Sequence, residues 1–99
     1  MITFYRTVVV APGKLNSALA FAREVSGFVK SKTGKEVKIA MPIGGNPNRI
    51  GWMAQYENLA AFEEVMNKLN NDAKYQELLA SAAGNWVPNT LKDELWRSI

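Results

Sequence analysis

Arg6 sits in the middle of an apolar, β-branched run, Ile2-Thr3-Phe4-Tyr5-Arg6-Thr7-Val8-Val9-Val10. Its guanidinium stays charged at any relevant pH, and a charge among apolar neighbours needs an anion. Two anions are open to it, and snorkelling to solvent is the remaining outcome. One is a carboxylate of the chain itself: Glu94, Asp93 or Glu57. The other is the acidic or oxygenated end of a ligand, and this is the reading taken to test. Trp52 and Tyr56 share one face of a later strand. Aromatics at that spacing serve as core, as interface, or as a flat wall with a phenol able to donate a hydrogen bond. Phe21, Phe28 and Met66 are placed to pack on the same sheet or to close a cleft against it. The candidate ligand-binding set is therefore Arg6, Trp52, Tyr56, Phe21, Phe28 and Met66, for a small, mostly apolar or amphiphilic molecule such as a fatty-acyl or polyketide-like compound. No catalytic residue is assigned.

Much chemistry is excluded by composition. The chain has no cysteine and no histidine. Disulfides, thiolate metal sites, a thiol nucleophile, imidazole ligation of zinc or haem iron, and any Ser-His-Asp triad are absent. No carboxylate cluster points to a divalent metal, so no metal and no cofactor is expected. Gly44-Gly45-Asn46-Pro47-Asn48 lacks the spacing and the Lys-Ser/Thr ending of a phosphate loop. Glu63-Glu64 falls on the wet side of its helix.

The 99 residues fit one domain, 1–99, with 47% hydrophobic and 21% charged residues. Twelve basic against nine acidic residues give +3. Lys30, Lys32, Lys35 and Lys38 cluster without stacking aromatics, which fits a solvated helix end and not a nucleic-acid footprint. No apolar run reaches the length of a membrane span, and the opening residues do not read as a signal peptide, so a cytoplasmic protein is expected.

The elements that must position these residues follow from periodicity. Ile2 to Val10 reads as a strand. From Lys14 to about Ser31 a helical period places Leu15, Ala18, Leu19, Phe21, Ala22, Val25, Phe28 and Val29 on one half of the wheel. Glu36–Ile43 reads as a strand with Val37, Ile39, Met41 and Ile43 on one face. Arg49–Glu57 follows as its hairpin partner, with Ile50, Trp52, Ala54 and Tyr56 on one face. Asn58 caps a helix with the stripe Leu59, Phe62, Val65, Met66 and Leu69. Asp72 caps a second, with Tyr75, Leu78, Leu79 and Ala82. Trp86 to Thr90 is an extended arm, and Leu91–Ile99 a last strand. The order β-α-β-β-α-β, with the second helical element broken in two, predicts an α+β, ferredoxin-like fold: a four-stranded antiparallel sheet with helices on one face. Neither side of the first strand is properly polar, so a second copy is expected on the bare face, giving a homodimer. Trp86 and Trp96 are expected to anchor it.

The first strand leading into Pro12-Gly13-Lys14, the stretch Trp52-Met53-Ala54-Gln55-Tyr56-Glu57-Asn58-Leu59-Ala60-Ala61-Phe62, and Asp72-Ala73-Lys74-Tyr75-Gln76-Glu77-Leu78 resemble the dimeric α/β-barrel superfamily. That group includes antibiotic-biosynthesis monooxygenases, NIPSNAP-like proteins and haem-degrading monooxygenases. The resemblance implies two sheets packed as a barrel at a dimer interface, with a cleft between each sheet and its own helices. Haem-degrading relatives carry an Asn where this chain has Arg6, and an iron-ligating His near Leu78. Neither is present, so haem oxygenation through that ligand is not expected. The resemblance leaves three functions open: a binding protein for a mostly apolar ligand, a cofactor-independent monooxygenase (or an isomerase or lyase of the same group), and a structural or regulatory dimer without ligand.

Overall fold

The β-branched opening run forms the central strand of the sheet. The computed structural model describes all 99 residues as β1 (Ile2–Val9), α1 (Leu15–Thr33), β2 (Lys38–Ala40), β3 (Arg49–Tyr56), α2 (Leu59–Asn70), α3 (Ala73–Ser81), a 3-10 turn (Ala83–Asn85) and β4 (Lys92–Arg97). The strands order as β2-β3-β1-β4, every neighbouring pair antiparallel. This is the ferredoxin-like α+β arrangement read from the sequence, with the second helical element broken at Asn71-Asp72.

Residues opposite each other in the ladder share a face. Arg6 stands between Trp52 on β3 and Asp93 on β4. Ile2, Phe4, Arg6 and Val8 therefore lie on one face with Ile50, Trp52, Ala54 and Tyr56, and this is the helix-facing side. Its core joins Val8, Ile50 and Trp52 to Ala18, Ala22, Val25 and Val29 of α1, Leu69 of α2 and Tyr75 of α3. Ala18 and Ala22 have no exposed surface and bring α1 close to the sheet. Slipping any strand by one residue would turn this whole set outward.

The helix ends follow local chemistry. Asn58 Oδ1 accepts from the Ala61 amide at 2.8 Å, and Asp72 Oδ1 from the Tyr75 amide at 2.9 Å. Each pairs an amide that the first turn leaves free. Gly34, at φ 77°, closes α1 in the left-handed conformation that glycine adopts without strain. No helix is long and apolar enough to cross a membrane.

Three expectations are corrected. The second strand pairs only over Lys38–Ala40, because Pro42 has no N–H for a ladder and the chain then bends into Gly44-Gly45. Ile43 is fully exposed and Met41 partly so, and neither joins the apolar face of Ile39 and Val37. Leu15 and Leu59, at the first turns of their helices, are exposed. Trp86 is packed within its own chain against Phe21 and Trp52. Trp96, by contrast, is 59% exposed on the face that no helix covers.

Candidate functional site

Between the helix-facing side of the sheet and the helices lies a cleft of about 510 Å³, within the size range of small-molecule sites. Its floor is Phe4, Arg6 and Val8 of β1 with Trp52, Ala54 and Tyr56 of β3. Phe21, Val25 and Val29 of α1, Met66 and Leu69 of α2, and Tyr75 and Leu79 of α3 form its walls. The arm after the 3-10 turn closes one side through Trp86, Val87, Pro88, Asn89 and Leu91. Of the 21 lining residues 17 are hydrophobic, so an occupant gains chiefly by leaving water.

The arm is a strap tied to β1. Val87 N–H donates to Val9 C=O at 2.9 Å. Val9 N–H donates to Thr90 Oγ1 at 3.1 Å, and that hydroxyl donates to Val87 C=O at 2.7 Å. Pro88 followed by Asn89 at φ 65° is the residue pair of a type II turn at the tip.

The polar groups of the cleft are few. Arg6 makes a two-pronged ion pair with Asp93, Nε to Oδ1 at 2.7 Å and Nη2 to Oδ2 at 2.8 Å. Asp93, one of the carboxylates the sequence offered to Arg6, thus supplies an anion to it. Hydrogen bonding to Asp93 raises the guanidinium pKa against the opposing effect of burial, and Tyr75 nearby adds to the rise. Tyr56 is buried, and burial first and the neighbouring Tyr75 second push its phenol above the ordinary value of 10.0. Trp52 packs edge-on to Phe21 and Trp86, with centroids 6.4 and 5.9 Å away. Its Nε1 is buried without an acceptor. Ser26 Oγ is committed to Val37 C=O at 2.7 Å.

Arg6, Trp52, Tyr56, Phe21 and Met66 thus lie around one cleft. Phe28 does not line it; it stacks behind Tyr75 at 6.2 Å. Tyr75, Leu79 and the strap were not among the site residues read from the sequence. Tyr75 was legible as an inward position of its helix, and its hydroxyl made it the one polar member of that stripe. Nothing in the sequence marked the strap as a wall. No group of three acidic, His or Cys residues is placed to hold a metal ion.

No family model matches the chain, and no curated protein sequence matches it. Solved structures do. An uncharacterised NIPSNAP domain protein from Burkholderia xenovorans superposes with a TM-score of 0.84 at 13% identity, over 100% of this chain and 95% of that one. A NIPSNAP family protein of unknown function from Agrobacterium tumefaciens gives 0.82 at 17% identity, over 99% and 87%. A proposed antibiotic biosynthesis monooxygenase from Deinococcus radiodurans gives 0.75 at 10% identity, over 99% and 92%. At these identities the likeness is one of fold, and the chain has the fold of the NIPSNAP and antibiotic-biosynthesis-monooxygenase group that its sequence resembles.

Proposed function

We propose that this chain, as a homodimer, binds a small, mostly apolar organic molecule in the cleft between its sheet and its helices. The observation that carries the reading is the cleft itself: about 510 Å³, 17 of 21 lining residues hydrophobic, with a few polar groups gathered at Arg6, Tyr56 and Tyr75. An apolar chamber with sparse, convergent polar groups is the usual build of a small-molecule site. The homodimer is supported by the uncovered sheet face, where Tyr5, Met53 and Trp96 lie with Thr3, Thr7 and Gln55. The reading takes the cytoplasm as the place of work, which a cysteine-free chain suits. Mass spectrometry of the protein purified under native conditions tests it. A stoichiometric organic adduct, released on denaturation, is the expected result. An empty protein that shows no thermal stabilisation with any apolar compound points instead to a structural dimer.

A second reading, a cofactor-independent monooxygenase, draws on the fold shared with the Deinococcus protein and on the phenols and indoles of the cleft. Oxygen uptake with phenolic substrates tests it, and the same cleft would serve.

A further inference from the structure

We propose that the cleft recognises a neutral carbonyl-type oxygen through the hydroxyls of Tyr56 and Tyr75 and discriminates against carboxylates; this deepens the binding role proposed above and rests on it. The two phenols come from different elements, the end of β3 and the first turn of α3, and converge on one space. They are 4% and 6% exposed. Neither hydroxyl donates a hydrogen bond within the chain, and the one partner of either is the Arg6 guanidinium beside Tyr75, although buried hydroxyls ordinarily pair. Nor is either oxygen sealed in, since Trp52 Nε1 is the only buried side-chain polar atom that is both enclosed and unpartnered. Both residues line the cleft.

Their polarity is set by what lies beside them. Tyr75 is close enough to Arg6 to influence its protonation. A guanidinium carries donors only, so the neighbouring phenol turns a lone pair toward it and its proton toward the cleft. Burial keeps Tyr56 protonated, and so a donor, well above neutral pH. Two donors facing one apolar chamber call for an acceptor.

A carboxylate fits that demand poorly. Arg6 is the only charged residue lining the cleft, and Asp93 already occupies its Nε and Nη2. A second carboxylate would lose its hydration in an apolar space and meet the charge of Asp93; the other cation nearby, Lys35, lies over the Tyr56 ring at 4.5 Å and outside the cleft lining. A ketone, quinone or ester oxygen has far less hydration to lose and accepts from both phenols.

Three probes of one shape test this by isothermal titration of the whole chain: 2-acetylnaphthalene, 2-isopropenylnaphthalene, which replaces the carbonyl by a C=CH₂ group, and 2-naphthoate. At neutral pH the ketone is expected to bind about tenfold tighter than the alkene, the gain of one to two hydrogen bonds, and tighter than the acid. Tyr56→Phe and Tyr75→Phe should each shrink the preference for the ketone over the alkene, with thermal melts reporting the fold. An alkene that binds as tightly as the ketone, or an acid that binds tightest, overturns the phenol assignment while leaving the binding role intact. Failure of both the ketone and the alkene to bind removes the binding role, and this inference with it. The comparison on the unaltered chain decides even if a variant folds poorly.

Discussion

Asp93 occupies two donors of Arg6, and its exposure sets how much the pair contributes to stability. The Arg6 side chain is 24% exposed and that of Asp93 41%. Exposed pairs contribute about 0–1 kcal/mol, while breaking a fully buried one costs about 3–5 kcal/mol. This pair belongs near the lower range. Asp93→Asn should therefore cost about 1 kcal/mol in a denaturant melt. It should also free the guanidinium, so that 2-naphthoate gains affinity while 2-acetylnaphthalene keeps its own; an unchanged acid affinity would show that Arg6 does not face the ligand. Tyr56 gives a prediction in pH. Its phenol is held above 10.0 by burial, so the unfolded chain releases that proton first as pH rises. Stability should fall as pH climbs past about 10, and Tyr56→Phe should flatten that part of the curve in melts across the alkaline range. The sequence made the charge problem at Arg6 plain and named Asp93 among its candidate partners. It could not choose, because the choice depends on the β1–β4 register that sets Arg6 against Asp93.

At the scale of elements, the cleft depends on two small fastenings. The first is Asp72, which caps α3 and pairs with Lys32 of α1 at 3.1 Å. The Tyr75 amide first and Lys32 second hold its carboxyl below the ordinary 3.8. The stabilisation from that depressed pKa is present above the ordinary value and lost as pH falls through the lowered one. Asp72→Ala should remove that acid-side dependence and loosen the helix that carries Tyr75 and Leu79. Melts from neutral pH down to well below 3.8, alongside ketone binding, read both effects. The second fastening is Thr90, whose hydroxyl ties Val9 to Val87. Thr90→Val leaves the Val9 amide without an acceptor and should cost about 1–2 kcal/mol. Hydrogen exchange at Val9 should quicken if the strap opens there; unchanged exchange would mean that its backbone bonds suffice. Both caps were legible because Asn58 and Asp72 stand where periodic runs begin. The arm was legible as an extended segment, but its fastening to β1 was not, because the Val87–Val9 bond and the Thr90 hydroxyl that make it leave no periodicity to read. The second strand was overread for the converse reason: its alternation continues past Pro42, but its ladder does not.

For the whole molecule, the two faces of the sheet differ in what covers them. One face holds the cleft. The other has no covering element, yet Tyr5 pairs across the ladder with Met53, and Thr3 with Trp96. Lys92 and Glu94 stand on the same face along the edge strand β4, where charge discourages open-ended strand pairing. A large apolar ring in water at one side of a ferredoxin-like sheet is best satisfied by a second copy across a two-fold axis. A lasting interface of this kind buries about 2,000 Å² or more, an area that needs the sheet face and not an edge alone. Sedimentation equilibrium at micromolar concentration should then give twice the 11.0 kDa of the chain. Trp96→Glu places a charge in the proposed interface, where it has no partner, and should shift the protein toward the monomer with its far-ultraviolet dichroism retained. A wild-type mass of one chain would dismiss the dimer. Because Trp96 lies on the face opposite Tyr56, the monomeric variant should still bind 2-acetylnaphthalene. A loss of binding on dissociation would show instead that the second copy holds the cleft in shape, tying the two faces through the thickness of one sheet.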